Sequence, residues 1–254
     1  MTPLRHALTL DGLGVSFGGF KAVDNVSTVI AEGELRVLLG ANGAGKTTLM
    51  DLVSGKTRAS TGRIHLYDTE ITGWADWRIV RAGIGRKFQI PSVFRELTVR
   101  QNLLVAGCTT PSILHTLRPR FSAEAQAHAD EILALTRLRP VQDQTAAYLS
   151  HGQTQWLELG MLIAQKPKVL LLDEPTAGMT QAETERTAEI LQSLRGRHTL
   201  VVVEHDMAFV RAIAQRITVL HLGQVLAEGD IAAIENNPRV REAYLGSHGI
   251  SASC

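Results

Sequence analysis

Gly40-Ala41-Asn42-Gly43-Ala44-Gly45-Lys46-Thr47-Thr48 stands between the apolar run Leu35-Arg36-Val37-Leu38-Leu39 and a stretch that opens on Leu49 and Met50. The order predicts strand, loop and helix, the context in which G-x-x-x-x-G-K-[ST] means more than composition. Gly40, Gly43 and Gly45 let the chain curl with successive N–H groups turned inward, forming an anion nest. A helix opening near Lys46 adds the positive end of its dipole, where a phosphate is stabilised. Lys46 is then within reach of β- and γ-phosphates, and the Thr47 hydroxyl suits a Mg²⁺ ion. Thr48 falls at the helix start beside an α-phosphate. The alternative is a glycine-rich turn with a solvated lysine, which the flanking strand and helix disfavour. The expected ligand is a nucleoside triphosphate with Mg²⁺.

Outward from this loop, the chain of 254 residues suffices for one large α/β domain, or for a main domain with a smaller lobe inserted. A net charge of +1 with no long basic block gives no reason to expect nucleic acid. Cys108 and Cys254 lie far apart and outside any metal-ligand spacing, so free thiols in a reducing compartment are expected. The apolar runs Val169–Leu172 and Leu200–Val203 are strand-length and too short to span a bilayer. The opening residues carry no secretion-signal pattern, so any membrane role is expected to come through a partner.

Leu8–Ile30, broken by Gly12, Gly14, Gly18 and Gly19, reads as antiparallel strands joined by a turn. Arg63–Tyr67 reads as a strand, Trp74–Ala82 as a helix stopped by Gly83, and Arg86–Ile90 as a short strand ended by Pro91. Between Val93 and Gln165 the pattern turns helical, with a helix at Thr98–Ala106, a loop at Pro111–Phe121 and a helix capped by Ser122. This block is expected to be an inserted lobe, residues 93–165, between core segments 1–92 and 166–254. A βα rhythm then returns: a strand at Val169, a capping box Thr180-x-x-Glu183 opening a helix to Arg195, and a strand at Thr199–Val203. A helix at Met207–Ala214, a strand at Ile217–His221 and a helical tail from Asp230 to Pro238 complete it.

Further motifs carry chemistry. Val169–Leu172 ends in Asp173-Glu174, and a parallel strand delivers its last residues to the sheet edge where the phosphate loop also sits. Asp173 is placed to hold Mg²⁺, and Glu174 to take a proton from an attacking water. Leu149-Ser150-His151-Gly152-Gln153 opens a helix capped by Ser150, where Gly152 allows close approach of a ligand. That helix start, with nothing anionic nearby in its own chain, invites a phosphate from elsewhere. Gln89, His205 and Phe17 are weak signals singly: a polar loop residue, a structural histidine and a core aromatic are their ordinary readings. Alternatively they are a γ-phosphate sensor, a γ-phosphate contact and a base-stacking ring.

Their order is what matters. Phe17, Gly40–Thr48, Gln89, Leu149–Gln153, Asp173-Glu174 and His205 resemble, across essentially the whole chain, the ATP-binding subunits of ABC transporters. The resemblance implies a P-loop NTPase core of α/β class with a mixed or parallel sheet, an antiparallel β subdomain and an inserted α-helical lobe. By the same resemblance Phe17 is the A-loop aromatic, Gly40–Thr48 Walker A, Gln89 the Q-loop with a Mg²⁺ role, and Asp173-Glu174 Walker B with the catalytic base. His205 is the switch histidine, and Ser150-His151-Gly152-Gln153 is the signature that closes on ATP held by a second subunit. The implied partners are that second ATPase subunit, transmembrane permease subunits and, indirectly, a periplasmic substrate-binding protein. The implied place is the cytoplasmic face of the plasma membrane. Alternatives of other kinds are a soluble ABC-type ATPase, whose long coiled coils or paired cassettes are absent here, and a P-loop kinase, which lacks the signature.

Departures from the family pattern are informative. His151 stands where the first glycine of LSGGQ is usual and is expected to point away from nucleotide. Pro175–Thr180 lacks the usual dimer-crossing aspartate. Ala177–Thr180, Glu204–Met207 and the ending Pro238–Gly246 resemble the branched-chain amino acid and amide uptake subfamily. Ile84–Gln89, His151-Gly152-Gln153, Trp156 and Val201–His205 are most similar to its urea-uptake members, so urea is the expected cargo, with branched-chain amino acids the closest rival.

Overall fold

The computed structural model describes residues 5–87, 93–108 and 121–245. Two sheets are formed. β1 (His6–Phe17) and β2 (Phe20–Ala31) make a long antiparallel hairpin, with Phe17 opposite Phe20 at its tip. β1 also pairs antiparallel with β4 (Thr61–Leu66), which pairs with β5 (Thr69–Glu70), giving the order β2-β1-β4-β5. The second sheet is mixed, in the order β10-β9-β3-β8-β7-β6. Its centre comprises β3 (Leu35–Leu39), β7 (Val169–Asp173) and β8 (Thr199–Val203), buried at every residue, as strands covered on both faces must be. β3 runs parallel to β8 and to β9 (Arg216–His221), β7 runs parallel to β8, and β10 (Gln224–Gly229) returns antiparallel to β9.

The helices are α1 (Lys46–Val53), α2 (Asp76–Ala82), α3 (Val99–Ala106), α4 (Ala123–Leu135) and α5 (His151–Ala164). They are followed by α6 (Gln181–Leu194), α7 (Met207–Ile213), α8 (Ile231–Glu235) and a short turn, α9 (Pro238–Val240). None of the helices among the described residues is long and apolar enough to cross a membrane.

Three sequence expectations need adjustment. The strand expected at Arg86–Ile90 is found as β6 (Ile84–Arg86), and Gln89 lies outside the described residues. Pairing begins earlier because the Gly83 carbonyl, immediately after α2, already accepts from the Lys168 and Val169 N–H groups at 2.7 and 3.0 Å. The tail does not stop at Pro238: Asn237 caps a new turn there, where a proline's missing N–H costs nothing. The chain also divides into two compact units, one of Met1–Ile84, Lys168–Pro175 and Leu194–Cys254, the other of Gly85–Pro167 and Thr176–Ser193. Nearly all of α6 therefore belongs with the helical unit, whereas the returning βα rhythm placed it in the core. The Trp156 indole donates to Thr187 Oγ1 at 3.0 Å and the Arg186 guanidinium to the Leu135 carbonyl at 2.8 Å, contacts between segments too distant in sequence to be read from it.

Within the first unit, Arg36 is a charged side chain in an apolar strand, 1% exposed. Its guanidinium donates to Glu34 at 2.6 Å, Glu228 at 2.9 Å, Thr218 at 2.8 Å, Thr28 at 3.1 Å and the Val29 carbonyl at 2.8 Å. A buried charge is tolerated only with such complete pairing.

Candidate nucleotide-binding site

The phosphate loop runs from the end of β3 into α1. Gly45, the residue before α1, has a left-handed backbone (φ 101°), and no side chain caps the helix. A Cβ there would lie 2.5 Å from the Ala22 carbonyl oxygen, so only glycine fits. The first N–H groups of α1 therefore start with no cap from their own chain, as an anion site at a helix start requires. Lys46 is 7% exposed, and its ammonium donates to the carbonyls of Gly40 (2.7 Å) and Ala41 (3.0 Å) at the other end of the loop. Burial pulls the Lys46 pKa below the ordinary lysine value, opposed by the charges of Glu174 and Asp173. Asn42, Gly43 and Thr47 are exposed, Thr48 half-buried and Ala44 buried.

β7 delivers the carboxylates. Asp173 is its last residue and is buried, while Glu174 follows with a left-handed backbone (φ 45°) and a half-buried side chain. Positive φ in a glutamate is uncommon and costs on the order of 1–3 kcal/mol. The turn is anchored by the Glu174 N–H, which donates to the Val203 carbonyl at 3.0 Å. His205, two residues beyond the end of β8, holds Nδ1 3.5 Å from Glu174 Oε1. Lys46, Asp173, Glu174 and His205, scattered over 160 positions of sequence, thus share one sheet edge of the first unit. Phe17 and its cross-strand neighbour Phe20 are 52% and 65% exposed at the hairpin tip. The core reading of Phe17 is thereby excluded. Phe20, a second ring beside it, was not singled out from the sequence, although the turn Gly18-Gly19 between two phenylalanines is visible there.

Among the described residues there is no cluster of three or more His, Cys, Asp or Glu side chains that could hold a metal. A Mg²⁺ ion does not need one: it is commonly bound by one or two carboxylates, waters and phosphate oxygens. The Asp173 carboxylate and the Thr47 hydroxyl supply the hard oxygen donors that this requires, so the residues fit the ion.

Ser150–Gln153 lies in the second unit, at the start of α5. Ser150 Oγ accepts from the Gln153 N–H at 3.2 Å and the Gln153 side chain accepts from the Ser150 N–H at 3.0 Å, a reciprocal capping box. One expectation is overturned. The helix start does have an anion nearby in its own chain: Glu183. A Cβ on Gly152 would lie 2.1 Å from Glu183 Oε1. The Glu183 carboxyl is held below its ordinary pKa, first by the Thr180 N–H and hydroxyl, then by the His151 charge and the Gly152 N–H. In the sequence Glu183 was legible only as half of the cap on α6. Its approach to α5 depends on how two distant helices pack. His151 turns aside to the Ala177 carbonyl, 3.1 Å from Nε2.

A mixed sheet whose parallel strands bring a glycine-rich loop, a helix start and two strand-end carboxylates to one edge defines a P-loop nucleotide-binding protein. Residues 23–177 match the ABC transporter family, and residues 224–250 match the family described as branched-chain amino acid ATP-binding cassette transporter. The chain is 37% identical over 248 residues to the high-affinity branched-chain amino acid transport ATP-binding protein LivG of Salmonella typhimurium, covering 94% of this chain and 97% of that protein. BraF of Pseudomonas aeruginosa, of the same description, is 34% identical over 256 residues, covering 95% and 98%. Among solved structures, an ATP-binding cassette of an ABC transporter in its ADP conformation superposes with a TM-score of 0.83 at 30% identity, covering 95% of this chain and 99% of that one. The chain belongs to the ABC transporter family, as an ATP-binding subunit of the branched-chain amino acid transporter type, and it is an ATPase.

Proposed function

We propose that the chain hydrolyses ATP in a site shared with a second ATPase subunit and thereby drives a permease that imports branched-chain amino acids. The observation that carries the hydrolytic step is the Glu174 carboxylate, held by a strained turn at the end of β7 and 3.5 Å from His205. Glu174 takes the proton of the attacking water, and His205 holds the carboxylate and meets the γ-phosphate. Lys46 exchanges its loop carbonyls for phosphate oxygens, and the α1 start receives the remaining phosphate charge. Phe17 stacks on the base, and Gln89 senses the γ-phosphate. Bound Mg²⁺ would supply charge neutralisation at the phosphates, held by Thr47, Asp173 and Gln89.

Ser150, Gly152 and Gln153 contact the nucleotide of the partner subunit. ATP then closes the pair because it has more contacts in the closed form than in the open one. The closed pair acts on the permease at the cytoplasmic face of the membrane, and a periplasmic substrate-binding protein is engaged only through the permease. LivG and BraF support an amino-acid cargo better than the urea expected from sequence motifs. Urea remains the second reading, favoured by Lys87, His151 and Trp156.

The test is uptake of labelled leucine, urea and acetamide in cells with and without the chain. Loss of leucine uptake is expected, and loss of urea uptake alone overturns the cargo assignment. In the purified assembly, Glu174→Gln should keep ATP binding and reduce turnover ~10²-fold or more. Full activity in that variant removes Glu174 from the base role. Ser150→Arg should block pairing without weakening ATP binding to one subunit.

A further inference from the structure

The first unit holds a cleft of about 650 Å³ in which cations are seated on aromatic rings. Separate segments build it: Arg5 just before β1, Tyr67 in the β4–β5 turn, Trp74 with Arg78 and Arg81 of α2, and Lys168 just before β7. Its place in the fold sets it apart from the nucleotide site. Lys168 precedes the first residue of β7, whose last residue is Asp173, and Arg5 lies at the end of β1 opposite the Phe17 tip. The Arg78 guanidinium lies 3.6 Å from the Trp74 ring centroid, and the Arg5 guanidinium 4.7 Å from that of Tyr67. The Lys168 ammonium is 5.5 Å from the same Tyr67 ring, and Arg81 lies 5.3 Å from the ring of the neighbouring Trp77. Two carboxylates share the cleft, and both are engaged: Glu32 accepts from the Tyr67 hydroxyl at 3.1 Å, and Asp68 from Arg5 at 3.3 Å. Arg78, Arg81 and Lys168 have no carboxylate partner among the described residues, so positive charge is in excess here.

We infer that this cleft is a second anion site, apart from the ATP site, and that it takes a doubly charged phosphate monoester. A guanidinium stacked on a ring spends its face on the π system and keeps its N–H edge for donation, as bidentate phosphate recognition requires. The rings also hold Arg5 and Arg78 in place before a ligand arrives, which lowers the ordering cost of binding. A concave wall of one sign of charge raises the local concentration of an opposite ion. Three cations without carboxylate partners suit two negative charges better than the single charge of a carboxylate. The cleft has the size of small-ligand sites, which run from about 300 to 1,000 Å³. Its ring at Tyr67 belongs to a residue with a left-handed backbone (φ 51°), uncommon for a bulky side chain, and the Tyr67 N–H is tied to the Ala7 carbonyl at 2.9 Å. A strained residue whose ring serves two cations from segments far apart in sequence is the kind of outlier that accompanies a binding site. The phosphate can be carried by a soluble ester or by a lipid headgroup, since both present the same chemistry to the cleft.

The test uses the full chain with its phosphate loop filled by saturating ADP and Mg²⁺. It would be titrated with glycerol 3-phosphate by calorimetry, and sedimented with vesicles of phosphatidic acid or of phosphatidylcholine. The unaltered chain would be compared with the double variant Arg78→Gln, Arg81→Gln and with Lys168→Gln, whose changes lie on separate segments. ADP affinity and the thermal midpoint report that each variant is folded. Glycerol 3-phosphate binding that weakens at least tenfold in the double variant and severalfold in Lys168→Gln, with ADP affinity unaltered, supports the site with a soluble ester as ligand. Sedimentation with phosphatidic acid but not phosphatidylcholine, reduced in both variants and by high salt, supports the site with a lipid headgroup as ligand. Binding of neither probe, or binding that both variants retain in full, overturns the site. Should the double variant fail to fold, Lys168→Gln decides by the same criteria.

Discussion

Two helices of this chain begin where family resemblance expects phosphate, and they begin in opposite ways. α1 starts from Gly45 in a left-handed conformation with no side-chain cap, while α5 starts from Ser150 with ordinary extended geometry and a complete capping box. The donors of α1 are thus presented by the backbone alone, and the loop's one cation, Lys46, rests on the loop's own carbonyls. The donors of α5 are already engaged by Ser150 and faced by Glu183. The contrast is between a site built to hold an anion within one chain and a helix start satisfied within its own chain, which must exchange partners to hold one. Under the proposed function, the first helix start holds nucleotide within one subunit and the second meets it only across the pair.

The most severe way to break the contrast is to give α1 a side chain at its start. Gly45→Ala combines left-handed strain with a 2.5 Å clash on the Ala22 carbonyl. It should abolish ATP binding measured by calorimetry, and retained binding would mean that the loop geometry is not what holds phosphate. Lys46→Met should weaken ATP binding roughly 10- to 100-fold, the value of a charge-assisted hydrogen bond of about 1.5–3 kcal/mol. An unaltered Kd would show that the cradle works without its cation.

The same lysine gives a pH test. Its folded pKa lies below that of the unfolded chain. Between the two values the unfolded chain binds the extra proton, so stability rises with pH there as the buried charge is relieved. ATP affinity should fall over the same alkaline window while the fold gains stability. Parallel loss of both would contradict the burial argument.

At α5 the effects are smaller. Ser150→Ala removes one half of the capping box and should cost about 1 kcal/mol in chemical denaturation of the helical unit. Its ATP affinity in an isolated subunit should not change. The smallest effect concerns Glu183, whose folded pKa is depressed. Its contribution is fully present above the unfolded carboxyl value and lost as pH falls through the lower folded value. Glu183→Gln should flatten that acid limb of the stability curve, and an unchanged limb would remove Glu183 from the contrast.

Much of the molecule was legible in the sequence because its signals are local. The phosphate loop is a contiguous run whose glycines and lysine must be neighbours in the chain. β3, β7 and β8 are short continuous apolar runs, as strands buried on both faces must be, and the caps at Ser122, Ser150 and Thr180 are each contained in four consecutive residues. The early start of β6 was less legible, because it depends on which backbone N–H groups reach the Gly83 carbonyl. Arg36 is a more pointed case: Leu35–Leu39 reads as a strand, but what lets its arginine be 1% exposed is pairing with Glu228, 192 positions away.

By itself, then, the sequence determined that this chain has a phosphate loop, a strand-end pair of carboxylates and a signature-like helix start, since each is written within a few consecutive residues. Only the tertiary structure decided what those elements meet. His205 comes to Glu174, Glu183 to Gly152, and His151 to the Ala177 carbonyl, because each pairing depends on packing between segments that the order of residues does not bring together.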